Sequence, residues 1–158
     1  MKRILLILAL VTVGFLYSYS QSATMTAEEL KFRNGIEQYL KEEGYVPTID
    51  NDDNSLNFKK EGERYWLTVT GSSPTYIELH KAGFGIEDTN RSYLIEACNK
   101  ACRETRCAKA YVTQTSVSFT VETYYYYLDD FKKIFNRSIN ALDTAKDKAK
   151  KYYNEFDN

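Results

Sequence analysis

The sequence predicts an α+β domain in the order α-β-β-β-α-β-β-α, with antiparallel strands. Three observations predict it. The apolar period changes from 3.6 to 2 and back, twice; the strand-like runs are joined by short turn sequences; and the longest helical pattern comes last. Connections of that length join antiparallel neighbours, because a parallel pair needs a crossover of a dozen residues or more.

The first helix starts at Thr26-Ala27-Glu28-Glu29, the spacing of a capping box, and runs to Glu43. Leu30, Ile36, Tyr39 and Leu40 form its apolar side, and Gly44 suits the left-handed position beyond its end. Tyr45 to Ile49 reads as a short strand with Pro47 and leads through the turn-rich Asp50-Asn51-Asp52-Asp53-Asn54-Ser55 into Leu56 to Lys60. Glu61-Gly62 turns the chain, and Arg64 to Thr70 sets Tyr65, Leu67 and Val69 against Trp66 and Thr68. After Gly71-Ser72-Ser73-Pro74, Thr75 to His80 sets Ile77 and Leu79 against Tyr76 and Glu78, and Gly83-Phe84-Gly85 reads as a connection. Asp88 or Thr89 caps a second helix reaching Glu104, with Leu94, Ile95, Cys98, Ala101 and Cys102 as its stripe. Strands follow at Cys107 to Thr113 and at Ser116 to Glu122, where Val117, Phe119 and Val121 alternate with Ser118, Thr120 and Glu122. From Tyr127 a long helix uses Leu128, Phe131, Phe135, Leu142, Ala145, Ala149, Tyr152 and Phe156 at three-four spacing, interrupted at Ser138. Beyond Ala145 large apolar groups become sparse, so that part is expected to project, fray or meet another subunit.

The 158 residues carry 21 basic against 22 acidic side chains, 43% hydrophobic residues and 27% charged ones, an ordinary globular composition that offers no electrostatic footprint for nucleic acid. Lys2-Arg3, the apolar run from Ile4 to Tyr17, and Ser18 and Ser20 at the minus-three and minus-one positions read as a signal peptide over residues 1–20. Fourteen helical residues span about 21 Å, short of the roughly 30 Å hydrocarbon core, so cleavage is expected rather than anchoring. The mature chain then begins at Gln21, loses two basic residues and no acid, and has a flexible leader over residues 21–26 before a single domain at 27–158. Its expected location is the periplasm or the exterior of a bacterium, with no membrane attachment after cleavage.

Several stretches are similar to a known family. Glu43-Gly44-Tyr45, the Asp-rich turn before Leu56-Asn57-Phe58, Ala97-Cys98-Asn99-Lys100, Ala108-Lys109-Ala110-Tyr111-Val112 and Ser118-Phe119-Thr120-Val121-Glu122, in this order of elements, resemble the type III secretion chaperone-like fold and the YbjN-type family that shares it. The resemblance covers about Leu30 to Ala149. It implies an antiparallel sheet of about five strands with helices on one face, built to bind other polypeptides and often paired as a homodimer.

Candidate chemistry is sparse. Asp50, Asp52, Asn54 and Glu61 stand at positions one, three, five and twelve of a calcium loop, but Ser55 replaces the required glycine and the flanks read as a hairpin that carries Glu61 away. Cys98, Cys102 and Cys107 with His80 can be drawn as a thiolate cluster, although the helical cysteines lie on the apolar stripe; in an oxidising compartment Cys102 and Cys107 are the pair placed to bridge. His80 beside Glu78 reads as an exposed strand histidine without a nucleophile to activate. No metal site or cofactor is therefore expected. Of the four tyrosines Tyr124 to Tyr127, two are expected to pack and two to show.

With the apolar alternation turned towards the helices, Trp66, Tyr76 and Tyr111 fall on the opposite sheet face among Thr68, Glu78, Lys109, Ser118 and Thr120. Aromatic anchors in a polar surround suit protein contact. The expectation is an exported, non-enzymatic module binding a protein or peptide through Trp66, Tyr76, Tyr111, Tyr124 and Tyr125. A ligand or metal sensor built on the Asp-rich turn is the alternative, and a small hydrolase a more distant one.

Overall fold

A computed structural model of the chain describes residues 24–85 and 90–157. The signal peptide, the first half of the leader and the Asp88 or Thr89 cap expected from sequence lie outside the described residues. The elements are α1 (Ala27–Glu42), β1 (Thr48–Ile49), β2 (Leu56–Lys60), β3 (Glu63–Thr70), β4 (Thr75–Gly85), α2 (Arg91–Glu104), β5 (Lys109–Val112), β6 (Ser116–Tyr125) and α3 (Leu128–Asp157). Six strands form one antiparallel sheet in the order β1-β2-β3-β4-β6-β5, so the expected five become six once the two-residue β1 is counted.

Local chemistry explains the element ends. The Thr26 hydroxyl accepts from the Glu29 amide while the Glu29 carboxylate accepts from the Thr26 amide, a complete capping box, and Gly44 takes φ +88 beyond the helix end. Glu61 and Gly62 both have positive φ, as a two-residue hairpin turn between β2 and β3 requires. Helix α2 is capped by Asn90, whose side chain accepts from the Ser92 and Tyr93 amides. Cys107 sits at φ +70, which keeps it out of β5 and delays that strand to Lys109. Strand β4 runs five residues further than the alternation suggested. Gly83-Phe84-Gly85 is not a connection but a bulged strand end, and Gly83 lies so close to β6 that a Cβ there would stand 2.3 Å from the Val117 carbonyl oxygen.

All three helices lie on one face of the sheet. Leu56, Phe58, Tyr65, Leu67, Val69, Ile77, Leu79, Val117, Phe119 and Val121 are buried beneath Ile36, Tyr39 and Leu40 of α1, Leu94, Ala97, Cys98 and Ala101 of α2, and Phe131, Phe135, Ile139 and Leu142 of α3. Tyr39, Phe58, Phe131 and Phe135 meet mostly edge to face or tilted, at centroid separations of 5.5 to 6.1 Å. Leu30 and Ile95 turn out exposed and Arg33 and Ala97 are buried, while Ile36, Tyr39 and Leu40 of α1 and Leu94, Cys98 and Ala101 of α2 face the core as the spacing predicts. The second half of α3 neither projects nor frays. Ala145, Ala149 and Tyr152 are buried against α2, Lys100 Nζ stands 3.8 Å from the Tyr152 ring, and small side chains let the two helices approach closely.

Between sheet and α3 runs a polar seam. Tyr65 Oη and Lys81 Nζ both donate to Asp143, Lys60 Nζ stands 3.6 Å from the same carboxylate, and Lys146 Nζ donates to Glu63 at 2.6 Å and to the Ala82 carbonyl at 3.2 Å. Burial alone would raise the Asp143 pKa; the hydrogen bonds from Lys81 and Tyr65 outweigh it and hold the carboxyl below its ordinary value. No helix among the described residues is long and apolar enough to cross a membrane.

Candidate functional site

The sheet face opposite the helices is uncovered among the described residues, and strand register determines which side chains meet on it. Because side chains alternate, every second residue of β3, β4, β6 and β5 projects there. Trp66 pairs with His80, His80 with Thr120 and Thr120 with Lys109, one row across four strands. The next row is Thr68, Glu78 and Glu122; the next Thr70, Tyr76 and Tyr124; and Tyr111 pairs with Ser118 on the other side.

Glu122 is the hub of this face. Its carboxylate accepts from Tyr76 Oη at 2.8 Å, from Tyr111 Oη at 2.6 Å and from Lys109 Nζ. Donation by Lys109, then by Tyr111, pushes the Glu122 pKa down to about 2, and the same bonds raise the pKa of Tyr76, Tyr111 and Lys109. Two tyrosines on different strands are thereby fixed in place, with Tyr111 45% exposed. Tyr124, 65% exposed, lies 4.9 Å from the Tyr76 ring and extends the aromatic surface.

A second group surrounds Trp66. Its indole stacks on His80 with centroids 4.9 Å apart and planes within 3°, and the Arg64 guanidinium carbon lies 5.5 Å from the ring. His80 is therefore not an exposed strand histidine: 14% of its side chain is accessible, and burial lowers its pKa despite Glu78 at 3.5 Å. Beside this stack, Arg64, Trp66, Ala82, Gly83, Phe84 and Ser118 line a shallow trough of about 300 Å³, floored by small residues because of the Gly83 bulge.

Trp66, Tyr76, Tyr111 and Tyr124 are thus brought onto one face. Tyr125 is not. It projects to the helical side, 6% exposed, and meets Phe131 at 5.6 Å, so it belongs to the core. One of the four tyrosines packs and three show, since Tyr126 and Tyr127 lie in the exposed junction to α3. Sequence reading did not single out Glu122 or the Trp66–His80 stack. The alternation placed Glu122 on the correct face, but only cross-strand register reveals what it touches.

The other constellations do not assemble. Strand β2 separates the Asp50 turn from Glu61 by five residues, about 16 Å. Within that turn Asp50 accepts from the Asp52 amide and Asp53 from the Ser55 amide, as in turns that brace themselves. Cys98, Cys102 and Cys107 are free thiols, and burial pushes Cys98 up to about 12. The C-terminal end of β5 is contacted from α2. Arg91 donates to the Val112 and Thr113 carbonyls. A partner strand therefore finds the sheet's face open and the end of this edge engaged by Arg91.

One sheet, helices on one side and an uncovered aromatic face opposite define a two-layer α+β domain. Its fold is YbjN-like: the chain is similar to the crystal structure of YbjN from E. coli, a protein proposed as a transcription regulator, at a TM-score of 0.57 and 8% identity, over 72% of this chain and 87% of that one. The resemblance read from the sequence is met at the level of the fold. No family model matches the chain, and no curated protein matches it.

Proposed function

We propose that this chain is an exported, non-catalytic binding module that holds a segment of another protein across the open face of its sheet. The observation behind the reading is the Glu122 hub. Three donors from the two strands flanking β6 converge on one carboxylate and hold two tyrosines in place, so little side-chain freedom remains to be lost when a partner arrives. The role proposed for YbjN does not fit as readily. With 21 basic against 22 acidic residues, and Glu78 and Glu122 paired at the middle of the open face, phosphate contacts find little to engage.

The test is crosslinked capture from an envelope fraction with the processed chain as bait. A partner enriched by the wild type and lost on Trp66→Ala with Tyr111→Ala supports the reading; one retained by the double variant excludes the face as its seat. Calcium titration provides the control for the sensor alternative, where absence of both heat and a melting shift is the expected result.

A further inference from the structure

The chain's one tryptophan and its one histidine lie against each other on the open face. Register puts them there: Trp66 on β3 and His80 on β4 are directly opposite, so their side chains leave the sheet side by side. The His80 Nδ1 atom is buried and has no hydrogen-bond partner among the described residues. Thr120, opposite His80 on β6, does not supply one, since its own hydroxyl is buried and unpartnered. The other ring nitrogen, Nε2, stands 3.5 Å from the Glu78 carboxylate, and 14% of the side chain reaches solvent.

That arrangement accepts a neutral imidazole and penalises a charged one. A ring protonated at Nε2 alone leaves only an acceptor unmet at Nδ1. The imidazolium carries a proton on both nitrogens, and a charged donor buried without an acceptor is far less favourable than a neutral acceptor in the same place. Neighbouring charges do not remove the penalty. Glu78 on the same strand and Glu122 on β6 favour the imidazolium, while Arg64 over the Trp66 ring, Lys59 beside Arg64 on β2 and Lys109 in the same row on β5 oppose it. Burial outweighs Glu78 and holds the His80 pKa below its ordinary 6.5. The ring also has an exit. Solvent already reaches it, and a change of rotamer places Nδ1 in water while giving up the stack.

We infer that the Trp66–His80 stack is a pH-operated latch on the open face: in mild acid the protonated imidazole leaves the stack, Trp66 is released, and the trough beside Arg64, Ala82 and Ser118 loses its fixed wall. The stacked ring resists the proton and the freed ring takes it at the ordinary value. Above 6.5 the latch is therefore closed, and each pH unit below favours the open form by about tenfold until the stacked ring itself is protonated. A partner on this face is held at neutral pH and released in mild acid. That release rests on the proposed function above; the response of the stack does not.

Both members report on the latch without interference, because the chain has no second indole or imidazole. The His80 ring protons are followed by NMR and the Trp66 emission by fluorescence with acrylamide as quencher, from about pH 7.5 to about pH 4.5. Expected are a His80 midpoint below 6.5 and, at that midpoint, a red-shifted emission with a quenching constant raised about twofold, as the indole loses the ring stacked on it. His80→Gln, which cannot take up the proton, is expected to show neither change. Glu78→Gln is expected to move the midpoint lower, because it removes a carboxylate that favours the imidazolium.

Emission and quenching that stay constant through the His80 midpoint overturn the latch, and so does a change that persists in His80→Gln. Loss of the helical circular dichroism signal over the same range overturns it as well, since the response would then be unfolding. An intensity loss without added acrylamide access does the same, being the mark of an imidazolium still stacked on the indole. Capture by the processed chain at about pH 7.5 and about pH 5 distinguishes failure of the latch from failure of the function. A partner released in acid by the wild type and retained by His80→Gln supports the release, a partner held equally at both values overturns it, and a working latch with no partner captured fails only the function.

Discussion

At the residue scale, Glu122 links the state of the face to pH. Its pKa lies at about 2 against an ordinary 4.5, so the stability it contributes is complete above about 4.5 and disappears as pH falls towards 2. Asp143 and Glu63 are also held low, Glu63 through its hydrogen bond from Lys146, and add to the same acid loss. Urea titrations from pH 6 to 2 are expected to show stability falling with acid, and a shallower fall in Glu122→Gln. Glu122→Ala at pH 7, which leaves Tyr76, Tyr111 and Lys109 without their shared acceptor, is expected to cost about 1–3 kcal/mol. Thr120 behaves in the opposite way. Its hydroxyl is buried without a partner, so Thr120→Val is expected to stabilise by about 1 kcal/mol in the same titration.

At the element scale, the contact of α3 with the sheet depends on Lys81 and Asp143. Lys81→Met leaves Asp143 to Tyr65 and Lys60 alone and is expected to cost about 3 kcal/mol, whereas Lys81→Met with Asp143→Leu recovers part of that, since an apolar pair replaces two ions that had to be desolvated while the Tyr65 hydroxyl loses its acceptor. Two glycines separate backbone from side-chain constraint. A Cβ at Gly83 meets the Val117 backbone, which cannot move without opening the β4–β6 ladder, while a Cβ at Gly35 meets the far end of the Leu128 side chain, which can rotate away. Gly83→Ala is expected to lower stability by about 2 kcal/mol or more and Gly35→Ala by less, read as midpoint shifts in the same denaturant. Neither contrast can be seen in sequence: nothing in the residues beside Gly35 or Gly83 marks it, and the obstacle comes from an element far along the chain.

At the scale of the whole molecule, the C-terminal turns of α3 are part of the core. Removing Tyr152 to Asn158 deletes a buried ring that packs against α2 and is expected to cost about 3 kcal/mol or more in a melting or denaturant experiment. Low apolar content misled on this point, because alanines at close helix contacts bury well without bulk. Element types, order and most boundaries were legible, since periodicity, caps and turn residues are local properties: the capping box at Thr26, the Glu61-Gly62 turn and the alternation of β6 all appear in the structure. The face of each strand was legible for Trp66, Tyr76 and Tyr111. Tyr125 was not, because β6 extends past Glu122 and its alternation continues into what looked like a junction.

The sequence by itself determined an α+β chain with one apolar and one aromatic-polar sheet face, because a two-residue period assigns faces wherever the strand lies. Only the tertiary structure decided that Glu122 gathers Lys109, Tyr76 and Tyr111, that His80 stacks beneath Trp66, and that Arg91 reaches the end of β5. Those neighbours come from strands and helices up to about forty-six positions apart, and long-range register is fixed by the packing of the whole core and not by any local run of residues.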